Sequence, residues 1–147
     1  MDEIKFRAKR TDNGKWVYGD LCHIRENNVI VPIIHNIDDN VFLKNIFVST
    51  IGQYTGLKDK NGIEIYEGDI LRYTRYNLHT EYLHEEKIEN ICHVYYNEEK
   101  HAFYYTMKLD CGGASGLLMF NDDRCDKCEI EVIGNKHDNP ELMRIFK

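Results

Sequence analysis

Two prolines, one tryptophan and no apolar run near the ~18 residues that a membrane-spanning helix requires mark this chain of 147 residues by what it lacks. The scarcity of proline leaves strands free to run uninterrupted. The amino terminus is charged from Asp2 onward, so no secretory leader is expected. The five cysteines are an odd number, which does not suit a full disulfide framework, and a reducing compartment is expected. None of the seven histidines forms H-E-x-x-H. The glycine run Cys111-Gly112-Gly113-Ala114-Ser115-Gly116 lacks the Lys-Ser/Thr that completes a phosphate-binding loop, and reads as a loop between strands. No internal repeat or low-complexity tract is present.

What is abundant is aromatic: ten tyrosines and six phenylalanines, which favour strands. Apolar residues make up 42% and charged residues 30%, ordinary for a globular protein. The net charge of −6 is a poor basis for general binding of nucleic acid or anionic membrane. The charge is uneven, however. Residues 1–25 hold six basic side chains against four acidic ones, a net of +2 that leaves −8 for the rest.

The "IKFRAK" stretch, residues 4–9, alternates Ile4, Phe6 and Ala8 with Lys5, Arg7 and Lys9, the pattern of a half-buried strand. Asn13-Gly14 supplies a tight hairpin turn, and "KWVYGDL" returns as its partner. The uncharged run "NVIVPII" is a strand that Pro32 restricts to an edge or bulge. "NVFLKNIFVS" fits a strand better than a helical turn. "YTGLKDKNGIEIYEGDIL", residues 54–71, reads as a corner: a turn at Asp59–Gly62, a short strand with Ile63 and Ile65 inward and Glu64 outward, a turn at Gly68, then a longer strand. Residues 77–90 are acidic and read as an insertion, partly helical or the tip of a long hairpin. Further strands follow to "EIEVIGN". Asn139-Pro140-Glu141 then starts a short terminal helix, with Asn139 as its cap.

The blocks "EIKFRAKRTDNGKWVYGDL", "IGQYTGLKDKNGIEIYEGDIL" and "IEVIGNKHDNPELM" resemble the start, middle and end of the YopX family of phage and prophage proteins. Phe6, Arg7, Trp16 and Gly19 stand in place in the first of them. The 77–90 insertion and the cysteines at 111–128 depart from that pattern. The resemblance implies a small β-rich phage protein with a barrel-like carboxy-terminal part, and the reducing compartment read from the cysteines is then the cytoplasm of a bacterial host. It implies no activity and carries over no catalytic residue.

The fold expected is mainly β, a β-rich α+β chain of short antiparallel strands. An amino-terminal subdomain over 1–57 precedes an SH3-like small barrel over 58–147, unless the two form one continuous domain. Cys125-x-x-Cys128 supplies one edge of a zinc tetrahedron, with Cys111, His101 or the Cys92-His93 pair to help complete it. Without a second pair, free thiols in a loop are the simpler reading, and no cofactor is expected. Glu64, Glu67 and Asp69 lie close enough in sequence to serve a metal-dependent hydrolase or nuclease, but turn chemistry accounts for Asp69 more simply. The binding-surface candidates are Lys5, Arg7, Lys9, Trp16, Tyr54, Lys58 and Lys60, with Tyr54, Lys58 and Lys60 expected to be exposed. Together these point to a non-enzymatic module that binds a phage or host protein, and to a homo-oligomer with "NVIVPII" as an open edge. Nucleic-acid binding through the basic hairpin is the alternative, and net acidity weighs against it.

Overall fold

The computed structural model describes residues 4–36, 40–79, 84–109, 112–117 and 128–146. The chain divides into two compact units, residues 1–56 and 57–147. The strands form two antiparallel sheets, and the only helix among the described residues is a 3-10 segment, Leu142–Phe146.

The first unit is built from β1 (Phe6–Arg10), β2 (Trp16–Glu26), β3 (Val29–Asn36), β4 (Val41–Leu43) and β5 (Ile46–Lys58). Their order is β4-β3-β2-β1-β5. Turn chemistry makes the hairpins. The Gly14 amide donates to the Arg10 carbonyl at 3.1 Å, and Asn13 Oδ1 accepts the Lys15 amide at 2.9 Å. Between β2 and β3 the two-residue loop Asn27-Asn28 has both φ values positive, 48° and 65°, the backbone twist that two-residue hairpins favour.

The strand order forces this sheet to curl. β4 and β5 are separated by three strands, about 19 Å across a flat sheet. Yet only Lys44 and Asn45 connect Leu43 to Ile46, a reach of about 11 Å at most. The ends therefore approach each other, and the Thr11 amide donates to the Asn45 carbonyl at 2.9 Å. The bend lies in β2, whose residues 16–19 pair with β1 and 20–26 with β3. Gly19 stands at the changeover with φ 153°. A Cβ there would lie 2.0 Å from the His35 carbonyl oxygen, so only glycine fits. Inside the curl Ala8, Ile34 and Ile46 are buried, with Phe6, Val17, Leu21 and Ile51 packed against them. Where β5 bulges against β1, Thr50 Oγ1 accepts the Lys9 amide at 2.8 Å and donates to the Phe47 carbonyl at 2.6 Å.

β5 runs past residue 56, and β6 (Glu64–Tyr66) follows it in strand order. The second unit's sheet has the order β10-β9-β8-β7-β11, from β7 (Asp69–His79), β8 (His84–Asn97), β9 (Ala102–Leu109), β10 (Gly112–Leu117) and β11 (Cys128–Asn135). Among the described residues it is open, with β10 and β11 at its edges. Its core is Ile65, Leu71, Cys92, Val94 and Met107, flanked by Leu57, Tyr73, Phe103, Ile130 and Val132.

Of the two readings of the 77–90 segment, the hairpin holds, with β7–β8 pairing from Ile70↔His93 out to His79↔His84. Two expectations change here. The glycine run is not a loop: Gly112–Leu117 pairs with β9 in continuous register, and Gly116, opposite Tyr105, leaves room for its ring. Asn139 does not cap the terminal helix through its side chain. Its Oδ1 accepts the Asn135 amide at 3.3 Å, while its backbone carbonyl accepts Leu142 N at 3.0 Å.

Candidate functional site

The 54–71 stretch works as a fastening. Asp59 is buried, and its carboxylate accepts three backbone amides: Asn61 at 2.8 Å and Ile63 at 2.9 Å through Oδ1, and Val132 of β11 at 3.1 Å through Oδ2. Burial opposes ionisation of this group, but the three N–H donors outweigh it and hold the pKa below the ordinary value. The Lys60 amide donates to the Ile130 carbonyl at 2.9 Å. Its ammonium lies 3.3 Å from Glu129 and 3.6 Å from Glu131, which Arg72 also approaches at 3.3 Å. Ile63, expected inward, is half exposed because the Asp59 turn takes its amide, while Ile65 is fully buried.

The neighbouring carboxylates are likewise occupied. Asp69 Oδ2 accepts the Tyr66 amide at 2.8 Å, across its own turn, and Glu64 accepts the Tyr66 hydroxyl at 2.8 Å. Gly68 donates to the Val94 carbonyl at 2.9 Å and accepts the Lys136 amide at 2.8 Å. The closing string is built the same way. Asn135 Oδ1 accepts the amides of His137 and Asp138, and its Nδ2 donates to Asp138 at 2.8 Å. The residues that make these blocks recognisable hold turns against strand ends.

Lys5, Arg7 and Lys9 do lie on one face, interleaved with rings. Lys5 Nζ is 5.2 Å from the centre of the Tyr54 ring, Arg7 is 4.5 Å from Trp16, and Lys9 Nζ is 5.7 Å from the same ring. Five of the seven candidates thus converge. Arg7 is only 7% exposed and Tyr54 8%, against the expectation of an open face: Arg7 lies against the Trp16 ring and Lys5 over Tyr54. Lys58 and Lys60 are exposed, as expected.

Cys111 and Cys125 lie outside the described residues. Cys128 is disulfide-bonded, which overturns the reading of this segment as free thiols, and its sulfur lies 3.2 Å from the Tyr73 hydroxyl. As a disulfide, Cys128 offers no thiolate to zinc. Cys22 and Cys92 are free thiols, and burial pushes Cys92 up to about 12. Among the described residues no three His, Cys, Asp or Glu side chains are grouped to hold a metal ion.

His93 had no role in the sequence. Its ring lies 6.0 Å from Phe146 of the terminal 3-10 helix and 6.5 Å from Tyr95, and its buried Nε2 has no hydrogen-bond partner among the described residues. Burial, with the Lys136 charge adding to it, pushes its pKa down to about 4. The unfolded chain therefore takes up a proton on this residue before the folded one does. Stability is full above pH 6.5 and falls as the pH is lowered to about 4. The loss is of order 1–2 kcal/mol, because solvent reaches part of the ring. Protonation of Asp59 then steepens the loss below its ordinary value of 3.8. A Tm series against pH checks this. His93→Phe should flatten the upper window and leave the lower one; an unchanged upper slope would remove His93 as its source.

The sequence reading marked the Val29-Ile30 part of the exposed apolar surface, within "NVIVPII", and missed the rest. Val29 and Ile30 are each 61% exposed, Val41 and Phe42 44% and 56%, and Phe47 and Val48 48% and 59%. These are adjacent pairs within strands, and neighbours in a strand point to opposite faces. Two apolar residues side by side were thus a readable signal that at least one faces outward.

Among the described residues no helix is long and apolar enough to cross a membrane. No curated protein matches the chain. The crystal structure of protein EF1440 from Enterococcus faecalis is similar over 97% of this chain and 99% of that one, with 25% identity and a TM-score of 0.47. The family model described as YopX protein matches residues 5–144, nearly the whole length, and the three sequence blocks all fall within or across that span. The chain belongs to the YopX family.

Proposed function

We propose that this protein is a non-enzymatic module of phage type that binds another protein, of phage or host, through its amino-terminal unit, and that it acts in the bacterial cytoplasm. The observation that carries the reading is the set of three adjacent apolar pairs, Val29-Ile30, Val41-Phe42 and Phe47-Val48, exposed on both members. Among the described residues, ten large apolar side chains are exposed, eight of them in residues 1–56 and two, Ile63 and Tyr96, in the second unit. Scattered exposed apolar residues need no explanation, but a concentration of them does. Carboxylates occupied by backbone amides support a non-enzymatic role, since Asp59 and Asp69 are spent on turns.

The test is a pull-down from phage-infected host cells, followed by direct binding to the protein recovered. Phe42→Ser combined with Val48→Ser should abolish retention of a partner that wild type holds, with no loss of thermal stability. Retention of the same protein by the double variant would remove the apolar surface from the reading.

The interleaving of Lys5, Arg7 and Lys9 with Trp16 and Tyr54 favours a second reading, binding of single-stranded nucleic acid. Weighing against it, those rings already stack on the protein's own cations. Filter binding at low salt separates the two: no retention of DNA or RNA removes the second.

A further inference from the structure

An open sheet has two edges, and each edge strand presents backbone donors and acceptors that another strand can pair with. Among the described residues of the second unit β11 is one of those edges. Its inner side is paired to β7 from Cys128↔Arg75 to Asn135↔Asp69. In an antiparallel strand alternate residues direct their backbone groups to opposite sides. On the outer side the groups at two such alternate residues are taken. The Ile130 carbonyl accepts the Lys60 amide, and the Val132 amide donates to Asp59 Oδ2. A main-chain donor and a carboxylate acceptor, from consecutive residues of one turn, thus meet the strand where a neighbouring strand would place its N–H and C=O. The same turn lays the Lys60 ammonium against Glu129 and Glu131. The turn is itself braced, because Asp59 Oδ1 accepts the amides of Asn61 and Ile63.

We infer that the Asp59–Lys60 turn of the family's hallmark stretch is a strand mimic that closes the β11 edge against pairing with the β11 edge of a second copy. Two identical edge strands pair antiparallel about a two-fold axis without any further fitting, so the second copy is the occupant always available. That pairing would bring Glu129 and Glu131 of both copies together once Lys60 no longer neutralises them, and like charges across a strand pair repel. Association through the opened edge is therefore weak at low salt and stronger at high salt, the reverse of an association held by ion pairs.

Sedimentation velocity on the full chain tests this. Asp59→Ala, with strand content by circular dichroism retained, should self-associate at least about tenfold more tightly than wild type, and more so at 0.5 M than at 0.05 M salt. Hydrogen exchange at the Val132 amide should be fast in the variant's monomer and slow in its associated form. A folded Asp59→Ala chain that associates no more than wild type at either salt overturns the inference. Should that variant fail to fold, Lys60→Pro and Lys60→Ala take its place. Both lose the ion pairs, and only the proline loses the amide given to Ile130. Increased association in Lys60→Pro but not in Lys60→Ala supports the strand mimic, and equal association in the two overturns it.

Discussion

Gly19→Ala is expected to cost about 3–5 kcal/mol, a large part of the 5–15 kcal/mol typical of a domain. The methyl group would sit 2.0 Å from the His35 carbonyl oxygen and 2.7 Å from its carbon, both backbone atoms that cannot rotate aside. Relief requires β3 to move away from β2 at the first of their paired positions, Asp20↔His35. That motion also pulls Ile34 out of the small core it shares with Ala8 and Ile46. A φ of 153° adds strain that any side chain would feel. Urea titration measures the effect. A midpoint shift equivalent to less than about 1 kcal/mol would mean that β2 and β3 do not approach this closely.

The second large effect is Gly68→Val, expected at about 2–4 kcal/mol. Gly68 has φ 87°, where a β-branched residue is strongly disfavoured, and an added Cβ would press on the Lys136 side chain at 3.1 Å. Its amide and carbonyl tie β8 and the 136–138 turn to one point through Val94 and Lys136, so distortion there loosens both. Glu64→Gln is the control. It keeps an acceptor for the Tyr66 hydroxyl and should change stability by less than about 0.5 kcal/mol. If equilibrium unfolding ranked the two variants the other way, the turn would not be what fixes this corner.

The corner at 54–71 was legible because its information is local. Asp, Asn and Gly in that spacing specify turns whatever lies around them, and the structure places turns there. The hairpin at Asn13-Gly14 was readable for the same reason. Alternation misled where a turn meets a strand. Ile63 was assigned inward from period two alone, but it precedes β6, and the Asp59 carboxylate claims its amide and leaves that side chain half exposed. Arg7 was read as solvent-facing, yet it is buried against Trp16 on the neighbouring strand. Nothing near Asp59 in sequence announces that its other oxygen will meet Val132, 73 positions away. The disulfide at Cys128 was hidden by an odd cysteine count, which excludes complete pairing but not a single bridge.

The two-residue connection between β4 and β5 has a consequence for the order in which the first unit assembles. The β2–β3 and β3–β4 ladders join neighbours in sequence and can form early, as local contacts do. β1 and β5 are different: Arg7 pairs with Gly52, so a long loop must close before that ladder gains anything. Because Lys44 and Asn45 allow no slack, β5 can reach β1 only after the intervening strands have bent at Gly19. The meander is thus the template and β5 the last strand home, and the barrier to folding of this unit belongs to the bend in β2.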